Sequence, residues 1–187
     1  MRVIVIADDD SLVGKMAGES AEILISVGDL WDATLVKAQD AYGCSKILAV
    51  RGNHDSAAQF ADGITDLHLN TCKHAGIVFG GFGGSWKYKP RGHHMFEQSE
   101  VTEALESFPA VDVFVAHNSP FGYHERDSDV HQGFEAFTNY IDRAQPRYFI
   151  HGHQHCNQVS ERSRTTIIGV FGETALNLKS GREQDVG

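Results

Sequence analysis

IHGHQHC, residues 150–156, sets three histidines at alternate positions just behind the apolar run Tyr148-Phe149-Ile150. Imidazoles brought together disfavour their protonated forms, and each ring still needs hydrogen-bond partners, so the cluster points to a shared ligand. Outward from it the same kind of ending recurs. The run RVIVIA stops at Asp8, ILISVG at Asp29, ILAVRG at Asn53 and His54, and VDVFVA at His117. Such runs, rich in Val, Ile and Phe, fall at 2–7, 22–27, 46–50, 77–82, 111–116, 147–151 and 165–171 and predict strands. WDATLVKAQDAYG and EAFTNYIDRAQ, between them, carry helical spacing, so the chain reads as α/β. In open α/β sheets the carboxyl ends of strands form the ligand crevice, which would gather these distant residues on one side. Carboxylates, one amide and several imidazoles, with no thiolate set, suit Mn, Fe, Zn, Co or Ni as a bound ion.

Composition bounds the rest. A chain of 187 residues, 41% hydrophobic, suits one domain with an ordinary core, here 1–179, followed by a solvated tail at 180–187. A formal charge of −9 argues against broad binding of nucleic acid or anionic membrane. The odd set Cys44, Cys72 and Cys156 contains no CxxC pair and fits a reducing compartment, with Cys156 behaving as a small hydrophobe. VIVIA, ended by Asp8-Asp9-Asp10, is too short for a signal-peptide core, and no later run is long enough to span a membrane; a cytoplasmic protein is expected. The glycine-dense FGGFGGSWKYKPRGHH predicts a sharply bent loop.

Taken singly, each motif has an ordinary explanation. Gly28-Asp29 is commonly a turn, Asn53 a turn residue tolerating left-handed geometry, and Asp8-Asp9-Asp10 a helix cap. Together, DDD at 8–10, GDLWD at 28–32, GNHD at 52–55, AHNSP at 116–120 and GHQH at 152–155 resemble, in order, the signature of the calcineurin-like metallophosphoesterases. FGGSWKYKPR and FGYHERDSDVHQGFEAF are similar to small bacterial-type members of that family. The resemblance implies a four-layer α/β/β/α sandwich of two mixed sheets flanked by helices. It further implies a binuclear centre with Asp8, Asp10, Asp29 and His155 at one cation and Asp29, Asn53, His117 and His153 at the other. A water shared by the two cations would attack phosphorus, His54 would serve the leaving oxygen and Asp55 would orient the His54 ring.

One position departs from the family pattern. Asp10 stands where the pattern DxH has histidine; strand alternation places Asp8 and Asp10 on one side with Asp9 turned away, a shift of register to Asp9 being the alternative. Carboxylate in place of imidazole favours manganese. His124, Arg126 and His131 in the later loop are candidate substrate contacts, with plain loop structure the alternative. Arg51, Lys87, Lys89 and Arg91 are cations that could meet phosphate oxygens, though most such side chains are merely solvated. His151 is expected to be structural. The function expected is hydrolysis of a small or extended phosphate ester with two divalent cations, leaning to a diester, with a phosphomonoesterase as the alternative and a non-catalytic scaffold or a nuclease less favoured. A homo-oligomer is left open.

Overall fold

The computed structural model describes residues 1–179; the tail expected at 180–187 lies outside the described residues. In chain order the elements are β1 (Arg2–Ala7), β2 (Ile23–Ser26), α1 (Asp32–Tyr42), β3 (Lys46–Ala49), β4 (Ile64–Asp66), β5 (Thr71–His74), β6 (Ile77–Phe82), β7 (Ser85–Trp86), β8 (Met95–Phe96), α2 (Gln98–Glu106), β9 (Val113–Ala116), α3 (Glu135–Ala144), β10 (Tyr148–His151), β11 (Gln158–Arg162), β12 (Thr165–Gly169) and β13 (Gly172–Asn177). The seven expected runs are all strands, trimmed at some ends. β4, β5, β11, β13 and the short β7 and β8 were not anticipated, and neither was α2.

Two mixed sheets result, ordered β13-β1-β2-β3-β4 and β11-β12-β10-β9-β6-β5, with β7 and β8 forming a separate pair. Within the first, β1 to β4 are parallel and β13 runs antiparallel to β1; in the second, β5 and β11 are antiparallel edges on a parallel centre. The period of two in the sequence separates the layers. Val3, Val5 and Ala7 of β1 and Ile23 and Ile25 of β2 pack with Val113, Val115 and Ile150 of the other sheet, so this core lies between the sheets. Ile4, Ile6 and Leu24 face the opposite way, onto Leu35, Ala38 and Tyr42 of α1. Phe114, Phe149 and Ile167 face Val101 and Leu105 of α2 and Phe137, Tyr140 and Ile141 of α3. That gives four layers, helix, sheet, sheet, helices, as expected. Each fully buried aliphatic or aromatic side chain contributes about 1.5–3 kcal/mol, and the central strands are buried on both faces.

The helices are bounded by local chemistry. α1 stops at Gly43, whose φ of 62° lets its N–H bond back to Asp40. α2 starts with a reciprocal capping box between Glu97 and Glu100, and α3 buries Phe137, Tyr140, Ile141 and Ala144 along one stripe. Among the described residues no helix is long and apolar enough to cross a membrane. Gly81, where the expected strand 77–82 overlaps the glycine-dense stretch, belongs to β6, and a side chain there would lie 2.2 Å from the Val115 carbonyl.

Candidate metal centre

The parallel strands β1, β2 and β3 of one sheet and β9 and β10 of the other deliver their carboxyl ends to one crevice. Its base is the crossing of two loops, 27–30 and 51–55. The Asp55 carboxylate accepts from the N–H groups of Gly52 (2.7 Å), Asp29 (3.0 Å) and Leu30 (3.1 Å), stitching one loop to the other. Asp55 therefore does not orient His54 as expected: both its oxygens are taken up by backbone donors, which are the nearest groups needing acceptors where strands give way to loops. The exposed His54 contributes its own N–H to Asp29 Oδ1 at 2.8 Å.

His117, 0% exposed, stands at the centre of the crevice. Its Nδ1 donates to the Val27 carbonyl at 2.8 Å, which directs Nε2 to Asn53 Oδ1 at 3.0 Å and Asp29 Oδ2 at 3.4 Å. Asn53 is oriented in turn, because its Nδ2 donates to the Tyr88 hydroxyl at 3.3 Å. His153, buried and in left-handed geometry at φ 62°, donates its N–H to both oxygens of Asp8 at 3.0 and 3.1 Å. Its Nε2 meets the Val130 carbonyl at 3.2 Å, leaving Nδ1 as the lone-pair nitrogen. Donor atoms of Asp29, His117 and His153 all lie within 4.8 Å of one another. With the Asn53 oxygen beside them, two imidazoles and two oxygens surround one point, a donor set that fits a divalent transition metal.

The electrostatics follow from this packing. Burial would raise the Asp29 carboxyl, but the charge and hydrogen bond of His117 and the His54 amide outweigh it and hold Asp29 well below the usual carboxylate range. Burial would lower His117; Asp29 and Asp8 instead raise it to about 9. Burial pushes Asp8 up to about 7, against the charge of His117 and with that of Asp29, and burial holds His153 at about 3. In the metal-free protein the His117 proton thus bonds to the oxygens that a cation would take.

Asp8, Asp9 and Asp10 do not continue the strand. β1 ends at Ala7, Asp8 has φ 64°, Asp9 caps a short turn at Asp10–Leu12 through Ser11, and Asp10 Oδ1 accepts from the Trp31 N–H at 3.1 Å. Strand alternation is therefore the wrong argument for their facing. Short carboxylates here bond nearby backbone N–H groups in preference to extending the sheet. Asp8 lies against His153, while His155 is exposed at the rim, stacked on Phe171 with centroids 4.8 Å apart.

The later loop sits where expected, beside the crevice. The His131 ring is 5.1 Å from that of His153 and 6.4 Å from that of His155, and Arg126 Nη1 lies 3.3 Å from His131 Nε2. His124 is turned away: its Nδ1 meets His151 Nε2 and its Nε2 meets Ser160 Oγ, both at 2.9 Å. His151, fully buried, is structural as expected; burial holds it at about 3. Arg51 is not available to phosphate, since it forms a two-point pair with Asp32 and lies over the Phe60 ring. Cys156 is half-buried and has no disulfide partner. Sequence reasoning missed Tyr88 and Gln154. The buried Gln154 amide donates to Ser119 Oγ and the His131 carbonyl and braces the loop against the crevice.

Among solved structures, one of the TT1561 protein of Thermus thermophilus matches with TM-score 0.63 at 13% identity, covering 90% of this chain and 88% of that one. The phosphopantetheinyl hydrolase of Mycobacterium tuberculosis matches with TM-score 0.55 at 12% identity, covering 90% and 89%. Vps29 of Entamoeba histolytica, complexed with zinc, matches with TM-score 0.51 at 12% identity, covering 92% and 74%. At these identities the likeness is one of fold. Among curated proteins none matches the chain. The model of the calcineurin-like phosphoesterase superfamily domain matches residues 1–178. With that match over a fold and a donor set of this kind, the chain belongs to the calcineurin-like phosphoesterase superfamily and is a metal-dependent phosphoester hydrolase.

Proposed function

We propose that the protein hydrolyses phosphodiesters with two divalent cations, manganese by preference. The observation that carries the reading is the buried convergence of Asp29, His117 and His153 within 4.8 Å, with the Asn53 oxygen at 3.0 Å from His117 Nε2. These four would hold one cation; Asp8, Asp10, His155 and the shared Asp29 would hold the other, with Asp10 Oδ2 available because Oδ1 is on the Trp31 amide. Bound there, two cations would polarise the phosphoryl oxygens and acidify an attacking water. Everything else is done by the chain. Val27 sets the His117 tautomer, Tyr88 turns the Asn53 oxygen inward, and Asp55 holds the two loops at fixed separation. His54, exposed at the rim, gives its proton to the leaving oxygen. The preponderance of oxygen donors supports manganese over zinc. Exposed His54 and His155 leave the rim open on both sides, with room for a second ester arm, which favours a diester.

Metal-stripped protein reloaded with Mn²⁺, Fe²⁺, Zn²⁺, Co²⁺ or Ni²⁺ and assayed on bis-p-nitrophenyl phosphate and p-nitrophenyl phosphate tests this. The expected result is Mn²⁺-dependent turnover with higher kcat/KM for the diester. Turnover of the monoester alone would make the protein a phosphomonoesterase, and no turnover with any metal would point to a scaffold. His54→Ala should cost roughly 10²–10⁴-fold in turnover with the metals retained, more for poor leaving groups than for good ones. An equal loss for all leaving groups would remove His54 from that role.

A further inference from the structure

A groove of about 720 Å³ leads away from the crevice, and His155 forms part of its wall. Phe171 extends that wall by stacking on His155, and Gln154 braces the groove from below through bonds to Asn118, Ser119 and His131. The Gln154 side-chain oxygen Oε1 accepts from the Arg126 backbone N–H at 3.2 Å, so the backbone that carries Arg126 is tied to this buried amide. His124 gives the groove shape without charge, since both its ring nitrogens are committed to His151 and Ser160.

The groove is lined by charges of both signs. Glu125 also borders it, but its carboxylate accepts from the Gly122 and Gly133 N–H groups at 3.0 and 2.6 Å. Arg126, by contrast, has no carboxylate partner among the described residues, only the His131 ring at 3.3 Å. Of the other described arginines, Arg2, Arg51 and Arg162 are each paired with an acid, and Arg143 donates to the Leu105 and Phe108 carbonyls. In a protein with nine more acidic than basic side chains, an exposed guanidinium beside the crevice with no acid partner among the described residues is available to pair with an anion.

We infer that the groove receives an arm of the substrate that carries a second anionic group, phosphate or carboxylate, paired by Arg126 while the scissile phosphate lies at the metal centre. Phe171 offers this arm an apolar face. The assignment rests on the phosphoesterase reading above and narrows it to small phosphate esters with a charged arm.

Two p-nitrophenyl phosphodiesters differing only in whether the second arm ends in methyl or in carboxylate provide the test. Turnover and calorimetric binding are measured on the Mn²⁺-loaded protein, so that selectivity can be read without relying on turnover. The charged ester should show kcat/KM and affinity higher by roughly tenfold or more, a preference that shrinks as salt is added. Arg126→Gln should lower the charged ester at least tenfold more than the neutral one, chiefly in KM, and Arg126→Lys should restore part of the difference. Equal handling of the two esters, or an equal loss on both in Arg126→Gln, overturns the groove assignment and leaves the phosphoesterase reading standing. If neither ester is bound or turned over, both fall together.

Discussion

Gly28 and Gly52 stand back to back where the two catalytic loops cross. A Cβ on Gly52 would lie 2.1 Å from Asp29 Oδ1 and 2.6 Å from the His117 ring, and Gly28, at φ 100°, would put one 2.5 Å from the Gly52 nitrogen. The glycines preceding Asp29 and Asn53 are thus what allows carboxylate, amide and imidazole to approach within bonding distance. Gly52→Ala should destabilise the protein by about 1–3 kcal/mol and cut its metal content. Thermal melts with metal analysis check this, and a variant that keeps full metal content would contradict it. At Asp10 a different outcome is expected. Asp10→His replaces a hard, charged oxygen by imidazole, so metal preference should move from Mn²⁺ toward Zn²⁺, and the acidic limb of the pH–rate curve should move to lower pH. If neither moves and Asp10→Ala keeps its metal content unchanged, Asp10 serves only to hold the Trp31 amide.

At the scale of elements, α1 is tied to the crevice through Asp32. Asp32, in its first turn, receives both Arg51 amino groups at 2.6 and 3.2 Å and the Ala61 N–H at 2.8 Å. Arg51 lies one residue before Gly52, so the helix, the segment at 58–61 and the Asn53 loop are braced together. Asp32→Ala would leave a buried guanidinium uncompensated, while Asp32 itself is about one quarter exposed. The expected loss is about 2–3 kcal/mol, below that for a fully buried pair. A fall in the urea midpoint with unchanged slope would show it; an unchanged midpoint would mean that Arg51 finds other partners. Glu173 of β13 does similar work on the other side, accepting from the N–H groups of Gly14, Lys15 and Met16 and so fixing the loop that follows Asp10.

For the whole molecule, the buried ionisable groups set how stability and metal binding depend on pH. In the metal-free protein His117 is raised to about 9 and Asp8 to about 7, so the fold binds more protons than the unfolded chain. Their effect favours the fold at low pH and is lost as pH rises through 7 and 9. His151 and His153, held at about 3, act in the opposite direction: they must stay neutral in the fold, and stability is lost as pH falls below the ordinary histidine value. Metal-free protein should therefore be most stable between these two limbs, near neutral to slightly acid pH. A cation competes with the His117 and Asp8 protons, so its affinity should increase with pH up to about 9 and its binding should release protons. Calorimetry in buffers of different ionisation heat measures that release, and a pH-independent affinity would be inconsistent with it. Loading should also raise the melting temperature, by the equivalent of about 2.7 kcal/mol at a hundredfold excess over Kd.

The central strands and the polar residues that converge at the crevice were legible in the amino-acid order, because a strand buried on both faces leaves a local apolar run and the end of the run shows which polar residue it delivers. Asp8, Asp29, Asn53, His117 and His153 could be named from where those runs stop. β5, with TCKH, and β11, with QVSER, could not be found that way, since antiparallel edge strands keep one face in water and carry polar residues there. α2 had only a capping box and the pair Val101 and Leu105 as its signal. Only the tertiary structure decided what each polar group is bonded to. That Asp55 binds three amides, that Arg51 serves a helix, that Tyr88 orients Asn53 and that Arg126 lines a groove with no carboxylate partner among the described residues all depend on partners brought together by the packing of separate elements. A hydrogen bond is decided by distance and direction over a few ångströms, and for residues twenty or more positions apart those are properties of how the layers pack and not of the local sequence.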